Sequence, residues 1–281
     1  MFSGKVVGFI GAGNMGEILI RGLIQSKKVT KSNILACDIN KDRLAHISKT
    51  YGIKTTSSDK WLIKKASIII IAVKPQNIDE LLEHLSKLSH EGHLFISIAA
   101  GITTERIAEK MHHQSGIIRA MPNAPASVLA GITALYPGRN ITSDDLQRAR
   151  SIFECVGSTV VLKNEALMDV VTGLSGSGPA YVFLAIESLS DAGVQLGISR
   201  PESSLLAAQT VYGAAKMLLE TGKHTSELKD LVATPGGTTF AGLKMLEKCN
   251  FRSTIMEAVE AATIRSRELG ILINSKKGKT D

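Results

Sequence analysis

Residues 6–16, Val-Val-Gly-Phe-Ile-Gly-Ala-Gly-Asn-Met-Gly, constrain this chain more than any other stretch. Apolar residues at 6, 7, 9 and 10 read as a short buried strand. Gly16 opens a helix that runs through Ile18, Leu19, Leu23 and Ile24. Between strand and helix lies Gly11-x-Gly13-x-x-Gly16, and that context gives the motif its meaning. Gly11 permits a tight turn, Gly13 lets the backbone approach a pyrophosphate, and Gly16 lets the helix pack close to the strand. The free N–H groups of the first helical turn, with the helix dipole, attract phosphate charge. A glycine turn without a ligand is the plainer reading, but the flanking strand and helix favour a dinucleotide site.

The remaining strands extend this plan. Ile34 to Asp38 reads as a second strand, and Asp38 stands where an acidic residue can bind a ribose 2′-hydroxyl. Lys41 and Arg43 follow at once, and cations there suit a 2′-phosphate. Asp38 or Asn40 can equally be the cap of the next helix. Ile68 to Val73 is a continuous apolar run that suits a central parallel strand, and it ends in Lys74-Pro75-Gln76. Lys74 lies beside a cofactor or is a plain surface lysine. Leu94 to Ile98 leads into Ala99-Ala100-Gly101, small residues that leave room for a flat ligand. A helix follows, with Thr103 or Thr104 near its cap. Gly116 to Arg119 runs into Met121-Pro122-Asn123-Ala124-Pro125, a loop fixed by two prolines. Gly131 to Tyr136 and Ser158 to Leu162 are further strands around a helix from about Ser143 to Cys155. Strand and helix alternating over this length imply a doubly wound sheet.

After Lys163 helix formers dominate. The expected division is a dinucleotide-binding domain over 1–163 and a helical domain over 164–281. Thr172-Gly-Leu-Ser175-Gly-Ser177-Gly-Pro179 is the most unusual local sequence, with Ser177 a candidate cap and Pro179 suited to a first turn. The helix from Ala180 to Val194 carries only Glu187 and Asp191 as charges, so it must be buried, commonly between subunits. Ser199-Arg200-Pro201-Glu202 reads as a capping box, and Gly222 ends the helix it opens. Ala233-Thr-Pro-Gly-Gly237-Thr238-Thr239 is a second glycine loop feeding a helix start, with two hydroxyls added. Tight helix packing explains such stretches too, but two of them, both rich in Ser or Thr, favour a site. A last helix covers Ser253 to Leu269.

Composition excludes several classes. Apolar residues are 44% of the 281, yet no run is long enough to span a membrane, and residues 1–4 lack the pattern of a signal peptide. Three scattered cysteines suit a reducing cytoplasm rather than a disulfide framework. The net charge of +7 is spread out apart from Lys276, Lys277 and Lys279, which read as a solvated tail. No basic face interleaved with stacking groups speaks for nucleic acid. The histidines form no metal constellation: His112 and His113 are adjacent and point apart on a helix, while His84, His90 and His93 lie on a polar helix end and loop.

Taken together these residues resemble the pyrroline-5-carboxylate reductase family over nearly the whole chain. Gly11-Ala-Gly13-Asn14-Met15-Gly16, Ala72-Val73-Lys74-Pro75, Ser97-Ile98-Ala99-Ala100-Gly101 and Met121-Pro-Asn123 are similar to its cofactor domain. Asp169 to Tyr181 and Leu228 to Thr239 are similar to its substrate-domain signatures, which are more specific. The resemblance implies a Rossmann-type α/β domain followed by an all-α dimerisation domain, with homodimers that often form rings. It implies NADPH, with NADH the alternative, bound by Gly11, Gly13, Asn14, Met15, Gly16, Cys37, Asp38, Asp59, Ala72, Val73, Lys74, Pro75, Ile98, Ala99, Ala100 and Asn123. It implies reduction of a five-membered cyclic imine carboxylate to L-proline. Backbone N–H groups of Gly237, Thr238 and Thr239, with the threonine hydroxyls, would hold the carboxylate. Thr172 and Ser175 would touch the imine nitrogen or the nicotinamide amide.

Three positions depart from the family pattern. Asp38 stands where an NADPH preference calls for a neutral or basic residue. Asp59 lies near a common asparagine, and Ala124 replaces a common threonine. The first two leave the coenzyme choice open. One rival is a β-hydroxyacid dehydrogenase, which would want a lysine on the Gly-rich helix, where none occurs before Val194. The other is a non-catalytic NADP-sensing dimer, which would not need the loop at 235–239.

Overall fold

The computed structural model describes Phe2, residues 4–111 and residues 115–275, the last two without their side chains. His112, His113 and the lysines of the tail lie outside the described residues. The chain divides into two compact units, one of residues 1–176 with 262–281 and the other of residues 177–261. This differs from a division at Lys163, because the segment after Lys163 and the end of the last helix pack within the first unit.

In the first unit β1 (Val7–Ile10), β2 (Ile34–Cys37), β3 (Lys54–Thr56), β4 (Ile68–Ile71), β5 (Leu94–Ser97), β6 (Gly116–Met121), β7 (Gly131–Pro137) and β8 (Gly157–Val161) form one sheet. Its order is β3-β2-β1-β4-β5-β6-β7-β8. The pairings are parallel except β6 with β7. That exception has a simple cause. Only residues 122–130 connect β6 to β7, too few for a crossover, so the chain must turn back.

Helices α1 (Asn14–Ser26), α2 (Lys41–Tyr51), α3 (Asp59–Ile63), α4 (Ile78–Ser86), α5 (Thr104–Met111) and α6 (Ser143–Phe153) cover both faces. The pleat sorts the strand residues. Phe9, Ala36, Ile70 and Ile96 join Leu19, Leu23 and Phe153 on one side. Ile10, Leu35, Ile69, Ile71 and Phe95 join Leu62, Leu82 and Ile107 on the other. Each fully buried Leu, Ile or Phe contributes about 1.5–3 kcal/mol, which holds the sheet flat against its helices. His93 belongs to this interior rather than to a polar loop. It is 3% exposed, its Nδ1 accepts the His90 N–H, and its Nε2 lies 3.2 Å from the Ile63 carbonyl.

Beyond β8, α7 (Leu167–Val171) runs into a π-helical turn, Thr172–Gly176. The second unit holds α8 (Gly178–Gln195), α9 (Arg200–Thr221), α10 (Thr225–Val232), α11 (Thr238–Lys248) and the first part of α12 (Phe251–Ser275). Small residues bring α8 and α9 together: the Ser203 hydroxyl donates to the Ser190 carbonyl at 2.6 Å. Ser177 makes no capping bond, since the π turn delivers the chain to α8 already helical. Ser199 does not complete a capping box either. Its hydroxyl donates to the Glu202 carboxylate at 2.7 Å instead of accepting from the backbone. The apolar face of α8 is not covered within one chain. Phe183 and Leu184 are 65% and 64% exposed.

Gly157 tests the join of the last two strands. Its φ is +152°, and an added Cβ would stand 1.9 Å from the Gly131 carbonyl oxygen. Gly157→Ala is expected to destabilise the first unit by about 3 kcal/mol, read as a lowered melting temperature.

Candidate functional site

The strand register levels one edge of the sheet. Ile10 pairs with Cys37 on one side and with Ile71 on the other, and Ile71 pairs with Ser97. The residues that follow, Gly11, Asp38, Ala72 and Ile98, therefore stand in a row at the carboxyl ends. The sheet reverses its winding at β1 and β4, and ligands of open α/β sheets bind at that switch.

The glycine loop is built at this edge. The Gly11 N–H donates to the Cys37 carbonyl at 2.8 Å, and the Ala72 N–H to the Ile10 carbonyl at 2.7 Å. Gly11 has φ +99°, and an added Cβ would lie 2.6 Å from the Ala72 carbonyl. At Gly16 an added Cβ would lie 2.5 Å from the Gly11 oxygen, so helix and turn touch backbone to backbone. Gly13 differs. Its φ is an ordinary −67°, and an added Cβ would meet nothing within 4 Å. Neither strain nor packing requires glycine there, so the space is open on the ligand side. Gly13 is also the N-cap of α1 with no side-chain cap. The N–H groups of Asn14, Met15 and Gly16 precede the first intrahelical bond, from Glu17 N–H to the Gly13 carbonyl. These residues fit a pyrophosphate.

Neighbouring charges hold the loop. Asp38 accepts the Ala12 N–H at 2.7 Å and the Asn40 N–H at 2.9 Å. The cap of α2 is Asn40, whose side chain accepts from Asp42 and Arg43. Arg43 reaches back to the Ala12 carbonyl and to Glu17, at 2.7 and 2.6 Å. Glu17 also accepts from Tyr51 and faces His46, each at 2.9 Å. Burial opposes its ionisation, but the bonds from His46, Arg43 and Tyr51 prevail and hold its carboxyl at about 2. Sequence reading missed this cluster, because Glu17, Arg43, His46 and Tyr51 become neighbours only once α1 and α2 pack together.

The other expected cofactor residues line the same edge. Ala72 and Val73 are half-buried, Lys74 is exposed, and Lys74 with Pro75 opens a short 3-10 turn. The Ile98 N–H donates to the Ile71 carbonyl, Ala99 is buried and Ala100 exposed. Burial, with Asp59 and Asp38 nearby, pushes the Cys37 thiol up to about 11, so it is a neutral wall. Asp59 opens α3, with its carboxylate 3.4 Å from His84.

The turn at 172–176 is pinned to this sheet. Asn123 is 8% exposed, accepts the Ile132 N–H and donates to the Ser175 carbonyl, both at 3.0 Å. It acts here as a strut. Thr172 and Ser175 donate their hydroxyl protons to the Met168 and Val171 carbonyls, at 2.9 and 3.1 Å. Each hydroxyl oxygen thus presents lone pairs, which makes it an acceptor. A second unpredicted cluster supports the segment. Glu165 accepts the Thr104 N–H and hydroxyl at 2.8 and 2.7 Å and pairs with buried Arg119 at 3.2 Å.

In the second unit Gly237 caps α11. Its own N–H is taken by the Thr234 carbonyl at 2.9 Å, and the Thr239 hydroxyl donates to the Val232 carbonyl at 3.2 Å. Neither is a free donor. The N–H groups of Thr238 and Thr239 remain ahead of the first intrahelical bond, from Ala241 to Gly237. Among the described residues no group of three or more His, Cys, Asp or Glu could hold a metal.

The strand order and the glycine edge define a dinucleotide-binding protein of the Rossmann type. Comparison with known proteins narrows this. Residues 6–101 match the model described as NADP oxidoreductase, coenzyme F420-dependent, and residues 165–269 match pyrroline-5-carboxylate reductase dimerisation. The pyrroline-5-carboxylate reductase of Methanosarcina acetivorans is 43% identical, over 94% of this chain and 97% of its own. A solved structure of that enzyme from Coxiella burnetii superposes with a TM-score of 0.91 at 37% identity, covering 95% of this chain and 98% of that one. The Plasmodium falciparum enzyme, solved with NADP bound, gives 0.83 at 34%, covering 95% and 98%. The chain belongs to the pyrroline-5-carboxylate reductase family.

Two outcomes follow from this geometry. Gly13→Asp keeps a good N-cap and meets no clash, so the melting temperature should hold or rise. Calorimetry should show the NADP+ dissociation constant raised about a hundredfold, because a carboxylate then occupies the phosphate position. Glu17 has a depressed folded pKa, so its stabilisation is complete above its ordinary 4.5 and drains as pH falls toward 2. Glu17→Gln should lower stability by roughly 1–3 kcal/mol at neutral pH. The gap from wild type should narrow below about pH 4 in acid-unfolding curves.

Proposed function

We propose that this chain reduces 1-pyrroline-5-carboxylate to L-proline as the last step of proline synthesis. Likeness to reductases of that name over 94% of this chain or more carries the reading, since it spans both halves. The coenzyme is NADPH or NADH, and when bound it would supply the hydride. Asn14, Met15 and Gly16 would hold its pyrophosphate, and Ala72 to Pro75 with Ile98 to Ala100 would hold the rest.

The chain's own residues then have three tasks. The N–H groups of Thr238 and Thr239, at the positive end of α11, bind the substrate carboxylate. Thr172 and Ser175, as acceptors, favour the protonated imine, which is the better electrophile. This refines the expectation that they simply touch the nitrogen. Neither hydroxyl is a strong enough acid to protonate the nitrogen at neutral pH, so water supplies the proton. The acceleration comes mainly from holding the ring at attack distance from the nicotinamide. The working form is a homodimer, assembled further into a ring of dimers, in the cytoplasm. No helix among the described residues is long and apolar enough to cross a membrane.

The test is coenzyme oxidation with 1-pyrroline-5-carboxylate by the purified protein. No turnover with NADPH or NADH would overturn the assignment. Thr238→Pro removes one N–H at the first helical position, where proline is tolerated. It should raise the substrate KM about tenfold or more with a smaller change in kcat, whereas Thr238→Ala should change KM little.

A further inference from the structure

The carboxyl end of β2 carries a fixed negative charge. Two backbone donors, Ala12 N–H at 2.7 Å and Asn40 N–H at 2.9 Å, orient Asp38 beside the glycine loop. Each takes one lone pair, so each carboxylate oxygen keeps another for a further donor. The nearby guanidinium is committed elsewhere. Arg43 gives Nε and Nη2 to the Ala12 carbonyl at 2.9 and 2.7 Å, and Nη2 also pairs with Glu17 at 2.6 Å. Glu17 stays ionised throughout the working pH range and cancels that charge. Over residues 38–43, Asp38 and Asp42 balance Lys41 and Arg43, so the segment offers no surplus of positive charge. Ile39 stands 91% exposed next to Asp38, an apolar surface open for an adenine ring whichever coenzyme binds.

We propose that Asp38 sets the coenzyme preference, and that this chain takes NADH at least as readily as NADPH. The proposal rests on the reductase reading and assigns the group that reads the ribose. A free 2′-hydroxyl donates to the remaining lone pair of Asp38. A 2′-phosphate brings about −1.5 to −2 charge to the same place. There it meets a carboxylate that backbone bonds keep from turning away, while Glu17 and the Ala12 carbonyl hold Arg43. Lys41, exposed in the first turn of α2, offsets this only in part.

Calorimetric titration of the full-length protein with NAD+ and NADP+ tests this without turnover. NAD+ is expected to bind as tightly as NADP+ or tighter, and kcat/KM with NADH to equal or exceed that with NADPH. Asp38→Asn should move the affinity ratio at least about tenfold toward NADP+. Glu17→Gln, which releases Arg43, should move it the same way by severalfold. NADP+ binding more than tenfold tighter than NAD+ to the wild-type protein would overturn the proposal even if neither variant folds. An unchanged ratio in a folded Asp38→Asn protein would overturn it as well. Binding in the expected ratio without any reduction of the imine would support the preference while removing the reductase reading.

Discussion

The structure depends on a backbone contact that tolerates no side chain. Gly11 lies against the Ala72 carbonyl, and Gly16 lies against Gly11. That contact brings the start of α1 down onto the end of β1 and turns its N–H groups toward the space above the sheet. The parallel register then levels Asp38, Ala72 and Ile98 beside it. Any bulk at Gly11 or Gly16 would lift the helix and scatter the row. The apolar core on the two faces serves the same end, because it fixes α1 and α4 against the strands whose tips form the edge.

Most of the sheet was legible because its strands are short apolar runs, and an apolar run reports burial directly. The exception is β3, Lys54–Thr56, a short polar strand at the sheet edge that no apolar run announces. The antiparallel β7 was legible only in hindsight, from the nine residues that precede it. The glycine loops were legible as loops. Their donors were not, since whether the Gly237 N–H and Thr239 hydroxyl are free depends on which carbonyls the loop brings close. The same holds for Thr172 and Ser175. The sequence shows hydroxyls, and only a π turn shows that their protons are spent on Met168 and Val171.

Charged clusters were the least legible part. Glu17 with Arg43, and Glu165 with Arg119 and Thr104, join residues far apart in the chain. No local pattern announces them. Asp38 stood between a helix cap and a ribose ligand on sequence grounds. The structure gives the capping task to Asn40 and leaves Asp38 facing the glycine loop.

The helices of the second unit carry a different lesson. Phe183, Leu184, Leu205 and Leu219 lie open on the single chain, while α8 and α9 meet mainly through serine and alanine. So much uncovered hydrocarbon ties the durability of this half to how many copies are present. Dilution should therefore act on it as heat or denaturant does, by depriving those helices of the company that shields them from water.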